Sequence, residues 1–149
     1  MSTSVLYMSM SLDGYIAGPN DEPGNHGDGF GRLHEWFVTP EGEFGRPEGP
    51  AGELWDEMHA AGAVLAGLRT AEQVDHWGGD HHGSGAPIFV PSHRPPGPSV
   101  ANYPLVTYVT DGIASAMAQA KAAAGERNVH VLGAYTAQRA PRPECWTTW

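Results

Sequence analysis

The chain is poor in cysteine, in basic residues and in long apolar runs. Cys145 is the only cysteine among 149 residues, so no internal disulfide can form and a reducing cytoplasm is the simplest home. It lies in a Pro/Trp/Thr segment with no neighbouring base, which argues against a nucleophilic role. Only 8 Lys and Arg stand against 17 Asp and Glu, a formal charge of −9. A nucleic-acid partner would need a basic face, so none is expected. A few local cations could still hold the phosphate of an anionic cofactor against that background. No apolar run approaches a membrane span, and the first residues lack the basic start and unbroken apolar stretch of a signal peptide. What is present is enough chain to bury a core without staples, expected as one domain over residues 1–140. Its 20 Gly and 13 Pro gather in long connections of the kind that often carry function.

The most informative stretch runs over residues 5–18. Leu6, Met8, Met10 and Leu12 alternate, which predicts a long strand with these side chains facing one core layer. Asp13-Gly14 then turns the chain and sets a carboxylate beside a flexible backbone at the sheet edge. A flat, partly apolar ligand oriented by Asp13 would suit such a spot; an ordinary hairpin explains the same residues. Residues 18–31 read as a loop, either disordered or a lid. Short apolar patterns predict helices over 32–38 (Leu33, Trp36, Phe37) and 53–61. Apolar runs at 63–66, 88–90, 105–109 and 129–132 predict buried strands. Helices are expected over 70–75 with Thr70 as N-cap, over 113–124 with Thr110 or Asp111 as cap and Gly125 as stop, and from near Tyr135. Strands alternating with helices predict an α/β sandwich on a largely parallel sheet.

Three places could carry chemistry. Gly67-Leu68-Arg69-Thr70 follows a strand and opens a helix, joining backbone amides to a guanidinium and a hydroxyl, as phosphate recognition requires. A capped helix with a solvent-facing arginine accounts for it equally well. Ser92-His93-Arg94 follows the next strand and could hold an isolated phosphate; a polar turn before Pro95-Pro96 is the plainer account. Gly133-Ala134, with Tyr135 and Thr136 behind, again takes a strand into a helix, although a glycine there often serves only the turn. All three lie at carboxyl ends of strands, where open α/β sheets bind ligands. His76, Asp80, His81 and His82 suggest a metal, but adjacent histidines on a Gly-rich loop lack a rigid frame, so a solvated loop without metal is expected.

Ser11-Leu12-Asp13-Gly14-x-Ile16-Ala17 resembles the opening strand of the reductase domain of riboflavin biosynthesis and its dihydrofolate-reductase-like relatives. Gly67-x-Arg69-Thr70 resembles their Gly-Arg-x-Thr element, and Phe89-Val90-x-Ser92-His93-x-Pro95-Pro96 the strand after it. Val109-Thr110-Asp111-Gly112 and Val131-Leu132-Gly133, each leading into a helix, are similar too. The resemblance implies a three-layer sandwich with a mostly parallel central sheet. It also implies NADPH held by Ala17, Gly67, Arg69, Thr70, Ser92, His93, Arg94, Gly133, Ala134, Tyr135 and Thr136. Hydride would pass to a small pyrimidine- or pterin-like substrate beside Gly14 and Trp36, with Asp13 and then Glu35 as polar candidates for catalysis. Ala134 stands where the family has a second glycine, and Leu68 where it often has arginine. Both departures favour the alternative, a catalytically degenerate relative that binds a ligand or partner.

From Pro141 the composition changes. Read out of frame, the codons of Pro143-Glu144-Cys145-Trp146-Thr147-Thr148-Trp149 permit Gly-Val-Leu-Asp-Asp-Leu, the family's next motif. The expectation is an altered tail over 141–149, a sheet lacking its final strands, and an exposed edge that favours a homodimer.

Overall fold

The computed structural model describes residues 2–22, 25–39 and 41–140. The reading of an altered C-terminus falls on 141–149 and lies outside the described residues. Strands β1 (Ser4–Leu6), β2 (Ala63–Ala66), β3 (Ile88–Pro91), β4 (Val106–Val109) and β5 (Val129–Leu132) form a sheet in the order β1-β5-β2-β3-β4. Every pairing is parallel, so the sheet is wholly rather than mostly parallel among the described residues. Helices α1 (Pro50–His59), α2 (Leu68–Gln73), α3 (Ile113–Ala124) and α4 (Ala134–Arg139) join it, with a 3₁₀ helix at Phe30–Phe37. None of these helices is long and apolar enough to cross a membrane.

The alternating side chains of the central strands define two core layers. Ala63, Leu65, Phe89, Val129 and Val131 pack against Ala116, Met117 and Ala120 of α3, with Ala137 and Ala140 beside them. Val64, Ala66, Ile88, Val90 and Leu132 face the other way, toward Ala71 of α2, Leu68 and Trp77. Helices thus flank both faces, and β2 and β5 are buried along their whole length, as parallel strands covered on both sides must be. Fully burying a side chain such as Leu65 or Val131 stabilises by about 1.5–3 kcal/mol. These layers are what hold the carboxyl ends of the strands in place.

Several expectations need correction. The long first strand stops at Leu6; Met10 and Leu12 are 64% and 111% exposed and belong to no core layer. Its partner β5 ends at Leu132, where Gly133 turns away at φ 102, so beyond Tyr7 the ladder finds no further partner among the described residues. The chain instead folds back locally, with the Ser11 amide donating to the Tyr15 carbonyl at 2.9 Å and the Gly14 amide to the Ser11 carbonyl at 3.0 Å. Thr70 does not cap α2: the N-cap is Gly67, and Thr70 sits inside the first turn. Neither Thr110 nor Asp111 caps α3, which starts from Gly112 at φ 95. The histidine segment is not a solvated loop either. His76 and His81 are buried, and Asp75, His76, Trp77, Gly78 and Gly79 form an unbroken left-handed run with φ between 43° and 91°.

That run is costly, at roughly 1–2 kcal/mol for each residue bearing a side chain. Specific contacts hold it. The Tyr103 hydroxyl donates to Asp75 Oδ2 at 2.7 Å, and His76 Nε2 lies 2.9 Å from the Tyr108 hydroxyl. Gly79 passes so close to Tyr103 that a Cβ would lie 2.6 Å from the ring. The product of this strain is the placement of Trp77 over the sheet.

Candidate functional site

A cavity of about 1480 Å³ opens over the carboxyl edge of the sheet. Its first wall is made by the turns that leave the strands: Met8 beyond β1, residues 67–70 beyond β2, Ser92 and His93 beyond β3, Gly112 beyond β4, and residues 133–136 beyond β5. At the centre, the turns after β2 and β5 lock together. A Cβ on Gly67 would lie 2.5 Å from Thr136 Oγ1, and one on Gly133 would lie 3.0 Å from Thr70 Oγ1. Each N-cap glycine therefore receives the threonine hydroxyl of the opposite helix. This crossing brings the starts of α2 and α4 together, and neither has a side-chain cap. The Gly133 amide donates to Met8 Sδ at 3.1 Å, which fixes the end of the first strand to the same place.

Arg69 in this wall, and Arg94 just beyond it, are already engaged. Arg69 Nη2 donates to both the carbonyl and the Oδ2 of Asp21 at 2.9 Å, and Gln73 Nε2 donates to Asp21 Oδ1. Arg94 Nη2 lies 2.6 Å from Glu72 Oε2. Ser92 Oγ donates to the Arg94 carbonyl at 2.7 Å and accepts the Arg94 amide at 3.0 Å, closing a local turn. On the rim, the Arg139 guanidinium lies 4.2 Å from the centre of the exposed Tyr135 ring.

The second wall is a continuous packing of rings. His26, Phe30, His34 and Phe37 touch in succession at centroid distances of 4.5, 4.5 and 5.4 Å. Phe44 and His82 close on Phe37, and His82 meets His81, which meets Trp77 at 4.9 Å. Burial, reinforced by His82, His130 and His59, pushes His81 down to about 3. Burial likewise lowers His34 and His82, which favours their uncharged forms. Beneath it, His130 of β5 is fully buried and stacks on Tyr7 at 5.6 Å; burial holds it down to about 4. The Tyr7 phenol is pushed up to about 12, chiefly by burial and then by Glu57. Tyr7 Oη and both His130 ring nitrogens are buried without a hydrogen-bond partner among the described residues. Each such orphan costs about 1–3 kcal/mol, so this corner is polar inside an otherwise apolar layer.

The cavity brings together Ala17, Gly67, Arg69, Thr70, Ser92, His93, Gly133, Ala134, Tyr135 and Thr136. It does not include Arg94, which is turned toward Glu72, nor Asp13, Gly14, Glu35 or Trp36. Asp13 is exposed, accepts a hydrogen bond from Ser11 Oγ at 2.6 Å, and borders a separate cavity of about 550 Å³ with Tyr15, Phe30 and Leu33. Glu35 is exposed, and Trp36 packs edge-on against Phe37. Sequence reasoning missed the ring wall and Asp21. One signal was available: His26, Phe30, His34 and Phe37 recur at spacings of four, four and three, the period of one helical face. Nothing in the sequence announced the left-handed run that carries Trp77. Among the described residues, no group of three or more His, Cys, Asp or Glu side chains is arranged to hold a metal ion.

No protein-family model and no curated protein matches the chain. Among solved structures, a protein of Shewanella sp. PV-4, provisionally described as a riboflavin biosynthesis protein, aligns with a TM-score of 0.61 at 19% identity. The alignment covers 91% of this chain and 67% of that one. At that identity the likeness speaks for the fold: an α/β sandwich of the dihydrofolate-reductase-like kind, with helices on both faces of a parallel sheet.

Proposed function

We propose that the protein is an NADPH-dependent reductase acting on a small planar heterocycle of the pyrimidine or pterin kind. The observation that carries this reading is the cavity itself. Drug-sized ligands occupy roughly 300–1,000 Å³, and about 1480 Å³ spanning the ends of all the strands has room for a dinucleotide and a second flat molecule. The donor set fits a dinucleotide's phosphates: uncapped amides at the starts of α2 and α4, the Thr70 hydroxyl and the Arg69 guanidinium. When bound, NADPH supplies a hydride. The chain's own part is to hold the two flat rings face to face in a place shielded from water. The ring wall suits that task, because aromatic faces stack and neutral imidazoles offer both a donor and an acceptor. No counter-charge is then needed on the substrate.

A second reading, a ligand-binding relative without catalysis, is favoured by two observations. Arg69 and Arg94 are both paired to carboxylates, and Asp13 lies outside the cavity. Titration with NADPH followed by nicotinamide fluorescence, with NADH as control, separates the two. Saturable binding that prefers NADPH is the expected outcome and justifies a screen of oxidised pyrimidines and pterins. A folded sample that binds neither nucleotide overturns the reductase reading in favour of the second.

A further inference from the structure

Asp21 stands out because it fills, from within the chain, the role that a ligand's anion would have. Its two carboxylate oxygens and its carbonyl engage Arg69 and Gln73, both of which line the cavity. The carboxylate is 22% exposed, while the Arg69 side chain is 64% exposed. The anion is therefore the sheltered partner and the cation the accessible one, the reverse of an arginine reaching out for a stray acid.

The loop that presents Asp21 is anchored where it enters and leaves. Gly18 and Gly27 cross so tightly that a Cβ on either would strike the backbone of the other strand of the loop. The Asp28 amide donates to the Pro19 carbonyl at 2.9 Å, and Asn20, held at φ 62, donates from Nδ2 to Asp28 Oδ2 at 2.8 Å. Glu22 and Asn25 exchange backbone hydrogen bonds at 3.0 and 2.8 Å. A carboxylate delivered from such a base loses little conformational freedom on meeting Arg69, so the pair is populated rather than incidental.

We propose that Asp21 is the specificity-determining residue of an anion subsite formed by Arg69 and Gln73, holding the place of a ligand's phosphate. The proposal rests on the reading of this cavity as a phosphate-bearing ligand's site. A carboxylate offers one negative charge and two acceptor oxygens. A phosphomonoester offers nearly two charges and three oxygens, so it displaces Asp21, whereas a singly charged phosphodiester gains little by doing so. The subsite thereby selects terminal phosphates over bridging ones. The same logic makes the charge of Asp21, rather than its shape, the quantity that sets affinity.

Calorimetric titration of the full chain and its D21N variant with inorganic pyrophosphate and with NADPH tests this. D21N keeps an acceptor for Arg69 and Gln73 but removes the competing charge. Affinity for both probes is expected to rise by about two- to fivefold, the range expected for releasing a partly exposed ion pair. The gain should vanish in the R69A background. If D21N tightens pyrophosphate but neither protein binds NADPH, the subsite stands and the dinucleotide reading falls. If D21N binds pyrophosphate no more tightly than the unaltered chain, the proposal is overturned. Should D21N fold poorly, the unaltered protein supplies the answer: saturating pyrophosphate should move the Asp21 carboxyl carbon resonance, and an unmoved resonance overturns the proposal.

Discussion

The two walls of the cavity are built by opposite means. The strand-end wall is mostly backbone, set by turns at the ends of β1 to β5 and by the glycine–threonine crossing at its centre. The ring wall is mostly side chain, assembled from the segment around Phe30 to Phe44 and from the turn carrying Trp77, His81 and His82. At its centre the first wall tolerates almost no added volume, because Gly67 and Gly133 meet the threonine hydroxyls at close contact. The second has polar rings buried without charge, so its weakness is protonation. Geometry limits one wall and proton affinity limits the other.

The largest expected effect breaks the ring wall. His81 and His130 are held down to about 3 and about 4 in the folded protein, against 6.5 for an unperturbed imidazole. As pH falls below 6.5 the unfolded chain takes up protons that the folded one refuses. Stability is therefore complete above pH 6.5 and is lost on the way down to about pH 4 for His130 and about pH 3 for His81, by on the order of 1 kcal/mol per pH unit for each ring. Urea unfolding at pH 7.5 and pH 5 measures this, and His81→Phe should flatten the slope by about one ring's share. An unchanged slope would show that His81 is solvated after all.

An intermediate effect probes the strand-end wall. Gly67 has an ordinary φ of −60, so Gly67→Ala introduces volume alone, against Thr136 Oγ1. A cost of roughly 1–3 kcal/mol is expected from overpacking, and Thr136→Ala in the same chain should recover most of it. A double variant no more stable than Gly67→Ala alone would sink the crossing as described. The smallest effect belongs to neither wall. Leu12→Ser should change stability by less than about 0.5 kcal/mol, since Leu12 is fully exposed. A loss of several times that size in thermal unfolding would restore the long first strand that the sequence suggested.

Legibility in the sequence followed the same division. The bounds of β2, β5 and α3 coincide with the runs at 63–66, 129–132 and 113–124, because each is a local pattern with a local stop. The cavity's glycines and hydroxyls were visible for the same reason: a strand, a glycine and a helix follow one another in the chain. Leu6 to Leu12 misled because alternation reports only that a strand is possible. Whether it forms depends on a partner, and β5 is only four residues long. His81 was misjudged because its burial depends on the conformation of Asp75 to Gly79, which ordinary propensities disfavour. Asp21 was invisible as a partner of Arg69, since the two lie 48 positions apart with no pattern to join them.

The place of β5 between β1 and β2 has a consequence in time. Ser4 pairs with Val129 and Ala63 pairs with the same residue, so β5 is inserted between two strands that precede it by more than 60 residues of chain. During synthesis, at about 5–20 residues per second, β1 waits several seconds or more for β5, its one neighbour among the described strands. β2, β3 and β4 can join meanwhile, leaving the inner edge of β2 open for the same interval. The nascent chain is thus most vulnerable to mispairing just before β5 emerges, and a chaperone that shields a parallel edge would matter most then.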